Sequence, residues 1–191
     1  MFIAKIIGYI STVFWLFPPI RQFKSDYFYY FLVLGLSDPI NLFCLRFFGF
    51  PPHIIHPIAA LLLFFTLDIP IKNIKKKIYF NLLVLTGFFI CFIYIENHLY
   101  LILIFHIMIL LKLTNITLIG VHERNILNVF YLALCFYELS VVINLSEFLG
   151  SHDVRIIIYY MTLSFQLLMA IFFTIFTEKS KFLIVKLKSA N

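Results

Sequence analysis

Residues 99–119 read LYLILIFHIMILLKLTNITLI, an apolar run whose only Lys, Arg, Asp or Glu is Lys112. A helix needs ~20 mostly apolar residues to cross the hydrocarbon core of a bilayer. The run therefore predicts a membrane-spanning helix, and the rest of the chain repeats its character. Seven segments qualify or come close: Phe2–Ile20, Tyr27–Phe47, His53–Ile69, Ile78–Ile95, Leu99–Ile119, Ile126–Ser146 and Arg155–Thr177.

The overall composition also favours a membrane protein. Hydrophobic residues make up 63% of the chain and charged residues 13%, whereas soluble domains average about 45–50% and about 25%. Long apolar runs without alternation indicate helices rather than the strands of a barrel. The predicted fold class is all-α: a polytopic seven-helix transmembrane bundle over residues 1–177, followed by a basic amphipathic cytoplasmic tail over residues 178–191.

The cations predict the direction of the spans, because they alternate between the gaps. Of the 15 Lys and Arg residues, only Lys5, Arg46 and Arg155 belong to one alternate set of gaps. Short cytoplasmic loops carry the excess of Lys and Arg, so the N-terminus is predicted outside and the C-terminus inside. We expect a multi-pass protein of the cell membrane, the cytoplasmic membrane in a bacterium. The net charge of +6 comes from these flanking cations, so no nucleic-acid partner is expected.

Four polar residues fall near the predicted middle of the bilayer, and Asn41 is a near neighbour of one of them, Asp38. Ionisable groups inside a span are costly and are candidates for a functional site. We take as ligand or proton-relay candidates Asp38, Asn41, His106, Glu138 and Gln166. The alternative is that such groups fix the packing of neighbouring helices by hydrogen bonds.

Two of these candidates are expected to meet. His106 and Glu138 lie at similar depth on consecutive spans, and a carboxylate facing an imidazole can relay protons or sense pH. A static buried pair fits the same pattern. Asp38 precedes Pro39, which removes one backbone donor and leaves room for a ligand, an ion or water.

Four histidines fall at or near the predicted outer surface: His53, His56, His98 and His152. Neutral imidazole is a suitable zinc ligand, so these residues are the candidates for a metal site. No strict metal motif such as H-E-x-x-H occurs in the chain. The alternative is that the histidines occupy the interface because they are amphipathic.

Two comparisons with known families limit the interpretation. A protein with seven spans and an outside N-terminus resembles the microbial rhodopsins, which bind retinal through a lysine in the last span. The predicted last span has no Lys, so retinal is not expected as a cofactor. Residues 8–22 resemble the first span of PQ-loop and sugar-transporter-like proteins. Ile20 follows Pro19 where that family has the Pro-Gln dipeptide, and no residue roles are carried over.

Three functions remain open. The first is a non-enzymatic sensor module or a subunit of a larger membrane complex, with the bilayer and a membrane protein or a second copy as partners. The second is a small-solute or proton-coupled carrier with a midplane site at Asp38, His106 and Glu138. The third is a membrane-embedded lipid-modifying enzyme that uses the outer histidines. No nucleophile or phosphate-binding motif occurs, so a non-enzymatic protein is expected.

Overall fold

Long apolar runs without helix breakers form the framework of the protein. The computed structural model describes residues 2–67, 74–150 and 155–187, and these ranges are mostly helical. This confirms the predicted helical class. The helices are α1 (Phe2–Trp15), α2 (Phe17–Arg21), α3 (Phe28–Phe48), α4 (Pro52–Thr66), α5 (Ile74–Tyr94), α6 (Leu99–Arg124), α7 (Val129–Leu149) and α8 (Arg155–Ile175).

In the described parts of the chain, four helices are long and apolar enough to cross a membrane, as expected for a membrane protein. They are α3, α6, α7 and residues 157–175 of α8. Residues 6–21, α4 and residues 78–94 are shorter apolar helices. The count of seven spans and their direction stay predictions.

The first predicted span is broken near its end. α1 ends at Trp15, and the short helix α2 begins at Phe17 with Pro18 and Pro19 in its first turn. Proline has no backbone N–H, so it is favoured where a helix begins and ends the helix before it. The chain therefore turns at Leu16 instead of continuing as one rod.

The predicted start of span six at Ile126 is wrong. Residues Ile126–Asn128 form a strand, β1, which pairs antiparallel with β2, Ile184–Lys186 in the tail. Asn125 takes a left-handed conformation that ends α6, and the Asn128 side chain accepts a hydrogen bond from the Phe130 N–H at 3.0 Å. Asparagine favours both positions, so this connection interrupts the helical pattern.

Seven of the described helices close into a ring. α1 and α2 pack against α8 and α3, α3 packs against α4, α4 against α6, α6 against α7, and α7 against α8. The stronger contacts of α5 among the described residues are with α6, so α5 lies on the outside of the ring. The ring leaves a space at its centre.

One end of the bundle gathers α2, the α6–α7 connection and the tail, and is called the basic end. Gln22 Nε2 donates to the carbonyl of Phe176 at 2.7 Å, and Asn128 Nδ2 donates to the carbonyl of Glu178 at 2.9 Å. The opposite end, called the histidine end, joins α4 to the α5–α6 connection, where His98 Nδ1 lies 3.1 Å from a backbone oxygen. These two ends give the bundle a direction.

Aromatic side chains fill the half of the bundle next to the basic end. Phe31 and Phe130, close to the first residues of α3 and α7, are fully buried beside Phe173 near the end of α8. The Phe173 ring centroid lies 4.9 Å from that of Phe31 and 5.3 Å from that of Phe130. This packed aromatic core closes the basic half of the ring.

A close approach between α1 and α3 generates a prediction at Gly35. A Cβ atom at this position would lie 2.4 Å from the carbonyl oxygen of Trp15. Since backbone cannot yield as a side chain does, Gly35→Ala should lower the free energy of unfolding by about 2 kcal/mol. Gly87→Ala is the matched control, because a Cβ there meets nothing within 4 Å and alanine favours a helix by about 0.5–1 kcal/mol. Denaturation in mixed micelles measures both variants, and equal stability of the two would contradict the contact.

Candidate functional site

A cavity of about 980 Å³ occupies the half of the ring next to the histidine end. Its wall comes from the second half of α1, the middle of α4, the first halves of α6 and α8 and the later parts of α3 and α7. The floor is formed near the middle of the bundle by Trp15, Leu63, His106, Tyr137 and Gln166. The cavity therefore ends where the aromatic core begins.

The structure brings the midplane candidates together around this cavity. Asp38, Asn41, His106 and Gln166 line it, and they come from α3, α6 and α8. Glu138 is fully buried and lies behind His106 instead of on the wall. Four of the five candidates thus line the cavity, and Glu138 lies beneath its surface.

The expected contact between His106 and Glu138 is present. Glu138 Oε2 lies 2.7 Å from His106 Nδ1, and its other oxygen accepts a hydrogen bond from the Tyr30 hydroxyl. A buried carboxylate is costly unless it is paired and hydrogen-bonded, and here both oxygens are satisfied. The three side chains link α3, α6 and α7 under the floor of the cavity.

Tyr30 was not among the residues singled out from the sequence. It lies in an apolar aromatic stretch of α3 and is separated from Glu138 by 108 positions. Its signal would have been a phenol in an apolar span, since a buried Tyr hydroxyl usually has a hydrogen-bond partner. That signal does not identify the partner, because the packing of α3 against α7 is not visible in the sequence.

Asp38 is the exposed carboxylate of the cavity wall. Thr12 Oγ1 lies 3.4 Å from Asp38 Oδ2 but also donates to the Gly8 carbonyl at 3.1 Å. α3 continues through Pro39, which cannot donate to the carbonyl one turn earlier. Because Thr12 is its one hydrogen-bond donor among the described residues and is shared with Gly8, the Asp38 carboxylate keeps most of its capacity to accept hydrogen bonds.

The outer histidines separate into two positions. The rings of His53 and His98 lie 5.7 Å apart at the histidine end, and both nitrogens of His98 lie 3.1 Å from backbone oxygens. His56 instead turns into the cavity, where its Nε2 lies 3.0 Å from Asn41 Nδ2. His152 lies outside the described residues.

Within residues 2–67, 74–150 and 155–187, no three His, Cys, Asp or Glu side chains come close enough together to hold a metal ion. A metal site at the outer histidines stays a prediction. The inward position of His56 could have been found from the short connection between α3 and α4, which sets Asn41 and His56 at similar depth.

The buried carboxylate generates a second prediction. Glu138→Ala would leave the Tyr30 hydroxyl and His106 Nδ1 buried without this partner, so the free energy of unfolding should fall by about 3 kcal/mol. Glu138→Gln keeps the shape and one acceptor, so its loss should be about half as large. The control is Glu96→Ala on the exposed α5–α6 connection, which should change stability by about 0.5 kcal/mol or less. Denaturation in mixed micelles tests the order of the three, and an unaffected Glu138→Ala variant would show that the pair does not stabilise the fold.

Comparison with known proteins adds no identity: no protein-family model, curated protein or solved structure matches the chain. The function is therefore inferred from the cavity and the groups around it.

Proposed function

We propose that this chain is a small-solute carrier of the cell membrane, with seven spans, an outside N-terminus and an inside C-terminus. The observation that carries the proposal is the cavity itself, which extends from the histidine end to a polar floor in the middle of the bundle. Substrate sites of carriers lie near the bilayer midplane between helices. A carrier whose site is open to one side must be closed towards the other side. The buried aromatic core on the far side of the floor can provide this closure.

The proposed direction rests on where the cation-rich connections meet. Lys179 Nζ donates to the carbonyl of Lys24 at 3.3 Å, so the tail and the α2–α3 connection share the basic end. Because Lys and Arg favour the cytoplasmic side, the basic end is assigned to the inside. The cavity then receives its solute from the outside.

The shorter helices are compatible with spans. α4 has 15 residues, which at ~1.5 Å per residue cover about 22 Å of the ~30 Å hydrocarbon core. Thinning of the bilayer accommodates a short span at modest cost. α1 and α2 together supply the first span.

The pair beneath the floor suggests how transport is coupled. His106 both lines the cavity and contacts the buried Glu138. An imidazole is suited to exchange protons near neutral pH, and ionisable groups inside a membrane often belong to proton relays. A proton-coupled carrier would use this pair.

The expectation of a sensor module or complex subunit stays a prediction. A sensor would need solute access from one side only, whereas a carrier needs access from both. The two functions are therefore separated by the accessibility of one cavity residue.

The first test fixes the direction of the chain. In a background without Cys44, Cys91 and Cys135, single cysteines replace Glu96 and Phe182, both exposed. A membrane-impermeant thiol reagent added to intact cells should label Glu96→Cys and leave Phe182→Cys unlabelled until the membrane is opened. The reverse pattern would overturn the proposed orientation.

The second test asks whether the cavity opens to both sides. Ser37→Cys lies on the cavity wall and is nearly isosteric. Two membrane-impermeant thiol reagents, one cationic and one anionic, are compared, and for a carrier at least one of them should modify it both in intact cells and in inside-out vesicles. Ser164→Cys, on the exposed face of α8 and not part of the wall, is the matched control and should resist modification from either side.

Modification of Ser37→Cys from the outside alone would favour the sensor. No modification from either side would show that the cavity does not admit water-soluble molecules. Either result would overturn the carrier proposal.

A further inference from the structure

We infer that the solute of this cavity is an organic cation, a protonated amine attached to an aromatic or apolar body. The inference rests on the proposed function, because it assumes that the cavity holds a solute. Three features of the wall point to this class of ligand: its charge, an unused acceptor and its aromatic rings.

The charge of the wall is negative. Among the described residues that line the cavity, Asp38 is the one Asp or Glu, and none is Lys or Arg. The two imidazoles already have partners, since His56 contacts Asn41 and His106 contacts Glu138. The Asp38 carboxylate is thus the charge that a ligand in the cavity meets.

The lysine of α6, Lys112, does not lie on the cavity wall beside Asp38. Lys112 lies below the floor, where its Nζ donates to the Phe64 carbonyl at 3.2 Å and sits 3.3 Å from the centre of the Phe64 ring. A cation supplied by the ligand would pair with Asp38, whereas an anionic ligand would meet no described Lys or Arg on the wall.

A second acceptor lies one turn away from Asp38. Asn41 is only 9% exposed, and its Oδ1 is buried with no hydrogen-bond partner, while its Nδ2 is engaged with His56. Residues three positions apart on a helix share a face, so Asn41 Oδ1 and the Asp38 carboxylate can serve one donor group. An ammonium group has up to three N–H donors and no acceptor. It can therefore donate to both the Asp38 carboxylate and Asn41 Oδ1.

The rest of the wall suits the body of such a ligand. Six aromatic rings line the cavity: Tyr9, Trp15, Tyr137, Phe148, Tyr159 and Tyr160. Ring faces attract cations and pack against apolar groups. A small metal cation fits less well, because Ca²⁺ takes 6–8 oxygen ligands and the wall offers one carboxylate.

The experiment compares three probes that share one aromatic body. Phenethylamine is a cation at neutral pH, 2-phenylethanol is neutral and 3-phenylpropionate is an anion. Each is titrated into the full chain in nanodiscs of zwitterionic phosphatidylcholine, with empty nanodiscs as the blank. Trp15 is the only tryptophan of the chain and lies on the floor of the cavity, so its fluorescence reports binding at this site.

The amine should change Trp15 emission at a concentration at least about tenfold lower than the other two probes, as expected for a charge-assisted hydrogen bond. Asp38→Asn should abolish this preference and Asp38→Glu should retain it. Glu96→Gln removes an exposed carboxylate outside the cavity and should leave the preference unchanged. A thermal transition like that of the parent protein shows that each variant is folded.

Equal binding of the three probes, a preference for the anion, or an amine preference that survives Asp38→Asn would overturn the assignment. So would no response to any probe up to about 10 mM, where even a millimolar complex would form. These failures are distinct from failure of the proposed function, because the two-sided modification of Ser37→Cys does not depend on the charge of the solute.

Discussion

A carboxylate at the centre of an apolar bundle must be paired, and the arrangement of this protein follows from how Glu138 is paired. Leaving such a charge without partners costs far more than a single hydrogen bond contributes. Glu138 therefore requires that α3 present Tyr30 and that α6 present His106 at the same depth. Three helices that are distant in the sequence are held in one register by this requirement.

The paired carboxylate also divides the bundle into two unlike halves. Between it and the basic end the ring is filled by aromatic side chains such as Phe31, Phe130 and Phe173. Towards the histidine end the same helices carry polar residues such as Asp38 and Asn41 beside aromatic ones, and the space between them stays open. The polarity of the open half is acceptable in a membrane because it faces the cavity and not lipid, which is where polar groups inside a membrane are expected.

The sequence predicted the helical class, because it depends on long apolar runs that are visible locally. Equal depth on consecutive spans was enough to predict the contact of His106 with Glu138. The inward turn of His56, the role of Tyr30 and the position of α5 outside the ring depend on contacts between distant segments, which no local pattern encodes. The strand at Ile126–Asn128 was missed for the same reason, since its partner lies in the tail.

Separating the helices at the basic end would cost less free energy than separating them around Glu138. At the basic end, Gln22 Nε2 and Arg21 Nε donate to carbonyls in and just after the last turn of α8. The last carbonyls of a helix have no partner within it. Arg21 is exposed, so water can replace its bond, whereas Gln22 is fully buried but joins neutral groups, whose hydrogen bonds contribute only about 1 kcal/mol each. Glu138 is equally buried but is an ionisable group, so leaving it without its partners costs several times more. In the proposed carrier the basic end would open while the Glu138 contacts persist, and the helices would move about the layer that these contacts hold together.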